Sequence, residues 1–218
     1  MNATRTNSPR REFLAGCRDE APLQLGVVPF GMLYGIGALA AGMPAWLAQL
    51  ASAVVFAGAA QLVIVQMLTT AAGALPIGLT AALLNLRHVL YSASVADYVR
   101  HLPRRWRLLL AYLLTDEAYA VAILRYHTTS ARRNDADPMT TRTLPADDLR
   151  HWYFLGCGLT LWATWQLSTA AGLLFGATIP PEWDIDFAVP LTFIALLTLL
   201  LRERAGQAAA LVAALAAL

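Results

Sequence analysis

The chain has 218 residues, 58% of them hydrophobic and 14% charged, with a net charge of +2 and a mean hydropathy of +0.53. Soluble domains carry about 25% charged residues, and here the apolar excess falls in long runs separated by short polar loops, which excludes an ordinary soluble enzyme. The basic residues are all arginine, which reads as compositional bias; they sit in loops without interleaved aromatic platforms, so no nucleic-acid partner is expected.

In chain order, residues 1–21 are polar and read as a cytoplasmic N-terminal tail ending in a short interfacial amphipathic helix, Arg11–Glu20. No cleavable signal is visible, so the first span would be the targeting signal. That span, 22–41, contains Pro29-Phe30-Gly31, where a helix should kink or break. Gly31 and Gly35 form a small-xxx-small pair suited to close helix packing. The second span, 46–72, exceeds the ~20 residues needed to cross and holds Gln61. The third, 74–96, carries Asn85, Arg87, His88 and Tyr91; the fourth, 106–124, carries Thr115-Asp116-Glu117. A polar loop, expected to be mobile, covers 125–151. A fifth span, 152–178, holds Trp162 and Trp165, which read as packing residues. An acidic loop (179–186), a short span (187–201) and an apolar run (206–218) follow. The expected fold is all-α: a polytopic helical membrane protein of about six to seven transmembrane segments, some broken or re-entrant, forming one transport domain over residues 22–218.

Orientation follows from the excess of arginine on cytoplasmic loops. The tail, the 125–151 loop and Arg202/Arg204 fall inside; 179–186 falls outside. The favoured reading, four full crossings before residue 125, puts Arg100, Arg104, Arg105 and Arg107 outside, against the rule. One re-entrant element among the first four would remove that conflict.

Ionisable groups at membrane depth are expensive and mark a pathway, a ligand or a partner. Arg87 and Asp116 lie ~12 and ~15 Å from the shared end of adjacent spans at 1.5 Å per residue, so they can meet. Mutual neutralisation is one reading; the other is a polar cavity in which Arg87 takes a carboxylate and Asp116 or Glu117 an ammonium or a proton. His88 can exchange protons near neutrality or simply bridge helices. Asn85 and Tyr91 flank it at helical spacing. Gln61 reads as helix–helix glue or as a cavity wall, and Pro29–Gly31 as a kink or as a source of free backbone groups. Cys17 and Cys157 make no framework, no metal-ligand cluster is present, and no phosphate loop or nucleophile motif appears, so neither cofactor, metal nor enzymatic activity is expected.

Pro29-Phe30-Gly31 with Tyr34-Gly35, Phe56-Ala-Gly-Ala-Ala-Gln61, Asn85-Leu-Arg-His88 with Leu90-Tyr91, and Thr115-Asp-Glu117 together resemble the AzlC family in order and spacing. The resemblance implies the larger subunit of a two-component exporter of leucine, isoleucine, valine and related apolar amino acids, possibly including methionine, in the bacterial inner membrane. It also implies a small AzlD-type membrane partner. Such proteins commonly continue through a full last span, whereas this chain ends at Leu218 within an apolar run, so its last helix is expected to be short, truncated or completed by the partner. Two other classes stay open at this point: a passive channel for small zwitterions, and a structural or regulatory subunit whose partner holds the pathway.

Overall fold

A computed structural model describes residues 8–136 and 148–176, with the side chains of 129–136 left aside. The loop, span and apolar run expected over 179–218 lie outside the described residues, as does the middle of the 125–151 loop. Among the described residues the fold is all-helical: α1 (Pro9–Glu20), α2 (Gln24–Ala40), α3 (Ala45–Val55), α4 (Gly58–Thr69), α5 (Ala74–Val99), α6 (Arg104–Tyr112), α7 (Asp116–Ala136) and α8 (Arg150–Gly176). By length and composition the run Pro9–Ala40 and α5 can cross a membrane.

The centre of the fold is a parallel pair, α1–α2 against α8, built on glycine. A Cβ on Gly16 would strike the Tyr153 carbonyl, and one on Gly156 the Phe13 carbonyl. Further along, a Cβ on Gly35 would meet the Thr169 carbonyl at 2.5 Å, and one on Gly172 would strike the Met32 carbonyl. The expected close approach at Gly31 and Gly35 is therefore present, with α8 as the partner. The segment read as a tail is α1. Its Ser8 side chain accepts from the Arg11 amide at the helix start, and the helix lies along the first half of α8.

The break expected at Pro29 does not occur. α2 stays helical through Pro29, which faces outward, and the irregularity lies upstream in a 3-10 turn, Ala21–Leu23, that contains Pro22. The breaks fall instead inside the second and fourth expected spans. Phe56 takes a left-handed conformation (φ 30°) and Ala57 is extended, separating α3 from α4. Leu113 to Thr115 separate α6 from α7.

Each break reverses the chain. The Gln61 side chain donates to the Ser52 carbonyl at 3.1 Å, nine residues back, a contact that a continuous helix, rising about 13 Å over nine residues, could not make. α3 descends α2, with Tyr34 donating to the Ala48 carbonyl at 3.0 Å, and α4 climbs back until Val65 meets Gly37. α6 ascends α8: Trp106 packs on Trp152, and Leu113 on Gly158. α7 descends it: Ala118 packs with Tyr153 and Cys157, and Tyr126 donates to the Arg150 carbonyl. The four expected straight crossings are thus two continuous helices and two hairpins of half-helices. The α3–α4 hairpin enters from the C-terminal ends of α2 and α8, the α6–α7 hairpin from the N-terminal end of α8.

At 11, 12 and 9 residues, α3, α4 and α6 are each shorter than the ~20 residues of a full span. α7, by contrast, continues to Ala136, twelve residues into the expected loop. α5 agrees with the third expected span, and apart from Val95 its residues are partly or fully exposed.

Candidate functional site

The tips of the two hairpins meet beside the middle of α8. The Tyr112 hydroxyl, at the end of α6, donates to the Ala53 carbonyl near the end of α3, and receives the Trp162 indole N–H at 2.7 Å. The Phe56 and Tyr112 rings lie 5.9 Å apart. The last carbonyls of a helix lack intrahelical partners; Tyr112 supplies one for Ala53, and Gln61 adds to the Phe56 amide at Ser52. Behind this contact Trp165 donates to Gln61 Oε1 at 3.1 Å, Ser52 shares a hydrogen with Thr169 at 3.0 Å, and Gln49 donates to Gln166 at 2.7 Å. Gln61 is 2% exposed and has both ends of its amide engaged. Its geometry is that of the glue reading. Phe30 sits edge-on to Trp165 at 6.1 Å, and Gly31 lies against Ser168. These two line the same packing layer and do not reach Arg87.

On the other side of the α6–α7 tip lies the charged group. Thr115 is a helix cap: its hydroxyl accepts from the Ala118 amide at 3.4 Å, and Asp116 and Glu117 occupy the first turn of α7, where free amides favour negative charge. Arg87 of α5 meets Asp116 at 2.5 Å. The expected pairing of these two residues is present, on parallel helices. Tyr91 stacks on Tyr119 at 4.4 Å with its hydroxyl beside the Asp116 carboxylate, and Tyr119 donates to Ser94 at 3.0 Å. His88 contacts the Asn85 carbonyl at 3.2 Å and the edge of Tyr91. Arg87, Asp116, Glu117, Tyr91 and His88 are therefore one cluster, which Asn85 joins through its backbone carbonyl only, while Gln61, Phe30 and Gly31 pack around Trp165 and Ser168 and Pro29 faces outward.

The cluster is only partly satisfied. Arg87 Nε, Asp116 Oδ1 and Asn85 Oδ1 are buried atoms with no hydrogen-bond partner, although the Arg87 and Asp116 side chains as a whole are 34% and 37% exposed. Buried polar atoms are normally paired, so this arrangement has one donor and two acceptors available. A cavity of about 390 Å³ between α5 and α6 does not include it: the nearest lining residue on α5 is Ser92, and the cavity takes in Arg100, Arg104 and Arg107 with Val95, Val99 and Phe154. No group of metal-ligating side chains occurs among the described residues.

One functional candidate had no sequence signal as a membrane residue. Glu20, at the end of α1, is completely buried, its Oε2 has no partner, and it faces Glu117.

A family model described as AzlC protein matches residues 22–179. The chain is 27% identical to an inner membrane protein, YgaZ, of Escherichia coli over 94% of this chain and 80% of that one. It is 28% identical to an uncharacterized membrane protein of Archaeoglobus fulgidus, over 87% and 74% of the two chains, and 31% identical to one of Helicobacter pylori over half of each. No solved structure matches.

Proposed function

Because the chain belongs to the AzlC family, a family of membrane proteins, we propose that it is the permease subunit of an exporter of branched-chain and related apolar amino acids, working with a small AzlD-type membrane subunit in the inner membrane. The observation that carries the reading is the Arg87–Asp116 pair, held at the tip of the α6–α7 hairpin with an unpaired polar atom on each partner among the described residues. A zwitterion inserted into this pair gives each partner an opposite charge. The substrate carboxylate takes the planar fork of Arg87, and the ammonium takes Asp116. Half-helices meeting beside the middle of long ones are the arrangement in which transporters bind small charged substrates.

The hairpins also support an orientation. With the N-terminus cytoplasmic, α2 runs outward, α3–α4 returns to the outer side, α5 runs inward, α6–α7 returns to the inner side, and α8 runs outward. The arginines at 100, 104, 105 and 107 then lie inside with those of the 125–151 loop, and the conflict with the positive-inside rule disappears.

The test is efflux of preloaded leucine, isoleucine and valine from cells making this chain with and without the small subunit. Saturable efflux that needs both, and that Arg87→Gln abolishes while the protein stays in the membrane, supports the reading. Wild-type efflux from Arg87→Gln overturns the site. Two half-spanning hairpins also suit a passive channel for small zwitterions, which non-saturable flux would reveal.

A further inference from the structure

We infer that Glu20 is a proton-binding carboxyl group beside the Glu117 charge, and that its protonation is coupled to occupancy of the Arg87–Asp116 site. The inference rests on the transport reading for the coupling, but not for the proton.

Gly16 of α1 lies against Tyr153 and Cys157 of α8. Glu20 is one helical turn further on, beside Cys157 in the first half of α8 and near the α6–α7 tip at Glu117. It is 0% exposed. Among the described residues, the one hydrogen bond its carboxylate makes is a long one, from Gln24 Nε2 to Oε1 at 3.5 Å, and Oε2 has none. A buried carboxylate normally has a cation or several donors.

Among the described residues, the groups facing Glu20 supply no cation. On α7 the neighbour is Glu117, one residue from Ala118, which packs with Tyr153, Cys157 and Ala15. From α8 come the Cys157 thiol, which donates to the Gly16 carbonyl, and Tyr153, whose hydroxyl is already committed to Asp19 at 2.8 Å. Cys17 on α1 donates to the Gly156 carbonyl. Arg125 stacks over Tyr153 and pairs with Glu12, a residue two turns earlier on α1. Arg87 is on the far side of Asp116 and pairs with it.

The charges form a chain of neighbours: Arg87 pairs with Asp116, both act on Glu117, and Glu117 acts on Glu20. Three carboxyl groups face one guanidinium, and Asp116 already neutralises it. Two carboxylates sharing a buried site cannot both ionise at modest cost, so the remaining pair is electrically satisfied by taking up a proton from solution, carboxylate plus proton giving carboxyl. Glu117 is adjacent in sequence to Asp116, so displacement of Asp116 from Arg87 by a substrate ammonium alters the field on the pair. That field is the coupling.

The proton is read directly, by infrared difference spectroscopy of the purified chain across pH, following the protonated-carboxyl band and its shift in heavy water. The band is expected in wild type and lost in Glu20→Gln, a near-isosteric change. Should that variant fail to accumulate, Glu117→Gln carries the test: with the neighbouring charge gone, the proton leaves at a lower pH than in wild type. A band that is absent from wild type, survives Glu20→Gln, or titrates unchanged in Glu117→Gln overturns the proposal.

In proteoliposomes containing both subunits, Glu20→Gln should retain leucine counterflow and lose flux driven by a pH gradient. Wild-type flux can vary by up to about tenfold per pH unit across the titration, and the variant's by less than about twofold. A variant with the wild-type pH profile overturns the coupling. Absence of any wild-type flux would sink the transport reading while leaving the infrared result standing.

Discussion

The hydroxyl of Tyr112, at the end of one half-helix, donates to the carbonyl of Ala53, near the end of another that enters from the opposite side. The same oxygen receives the Trp162 indole N–H. One phenol thus holds together two chain reversals and the long helix behind them. Tyr112→Phe removes both bonds and leaves the Trp162 N–H and the Ala53 carbonyl unpaired. Both bonds are exposed, so each is worth about 0.5–1.5 kcal/mol, and the variant should melt a few degrees below wild type in detergent. Trp162→Phe should cost less, and the double variant less than the sum, because the two changes delete one shared bond. Additive losses would show that the phenol does not bridge the three elements.

The glycines of the parallel pair make a sharp contrast with a glycine that packs on nothing. Gly172→Ala drives a methyl into the Met32 backbone, which no side-chain rotation relieves. The two helices have to part, and folded protein should fall to a small fraction of wild type by size-exclusion yield. Gly26 has no atom within 4 Å of where a Cβ would stand. Gly26→Ala should therefore be neutral, or stabilising by up to about 1 kcal/mol from helix propensity.

The hairpins predict which loops share a side. With single cysteines in an otherwise cysteine-free chain, positions 42–44 and 71–73 should label together with an impermeant reagent applied outside, and 101–103 and 149 only after permeabilisation. Straight crossings would put 42–44 and 71–73 on opposite sides, so split labelling of those two loops rules the hairpin out.

The ion pair can be separated from the site by exchange. If Arg87 and Asp116 only neutralise each other, Arg87→Asp with Asp116→Arg restores both accumulation and efflux. The site reading expects accumulation to recover and efflux to stay at background. The reason is that an arginine on the first turn of α7 opposes the helix dipole there, and the substrate's two charges would have to bind reversed.

Much of this arrangement was legible in the residues. Long apolar runs located α5 and α8, Gly31 and Gly35 announced a close helix contact, and depth along adjacent segments was enough to bring Arg87 to Asp116. What hydropathy did not reveal was the direction of the chain after residues 55 and 112. A two- or three-residue reversal hardly alters an average taken over twenty. Phe56 carries no glycine to advertise its left-handed backbone. The second reversal did leave a signature: Thr115-Asp116-Glu117 is a helix start, a capping hydroxyl followed by acidic residues. In an apolar setting it reads instead as a polar island. The role of α1 was hidden by its composition, since its arginines and acids read as a tail, whereas its packing is decided by Gly16 and Gly156.

The pairing of α1 with α8 also bears on how the protein is made. Cys17 and Gly156 touch, though 139 residues separate them. At the usual pace of synthesis, about 5–20 residues per second, α8 leaves the ribosome on the order of ten seconds after α1. For that interval a helix ending in a buried acid and faced with bare glycine backbone has no lasting neighbour. An insertase or a membrane chaperone that shelters the nascent first helix should therefore set the yield of this protein, more than the hydrophobicity of any one segment.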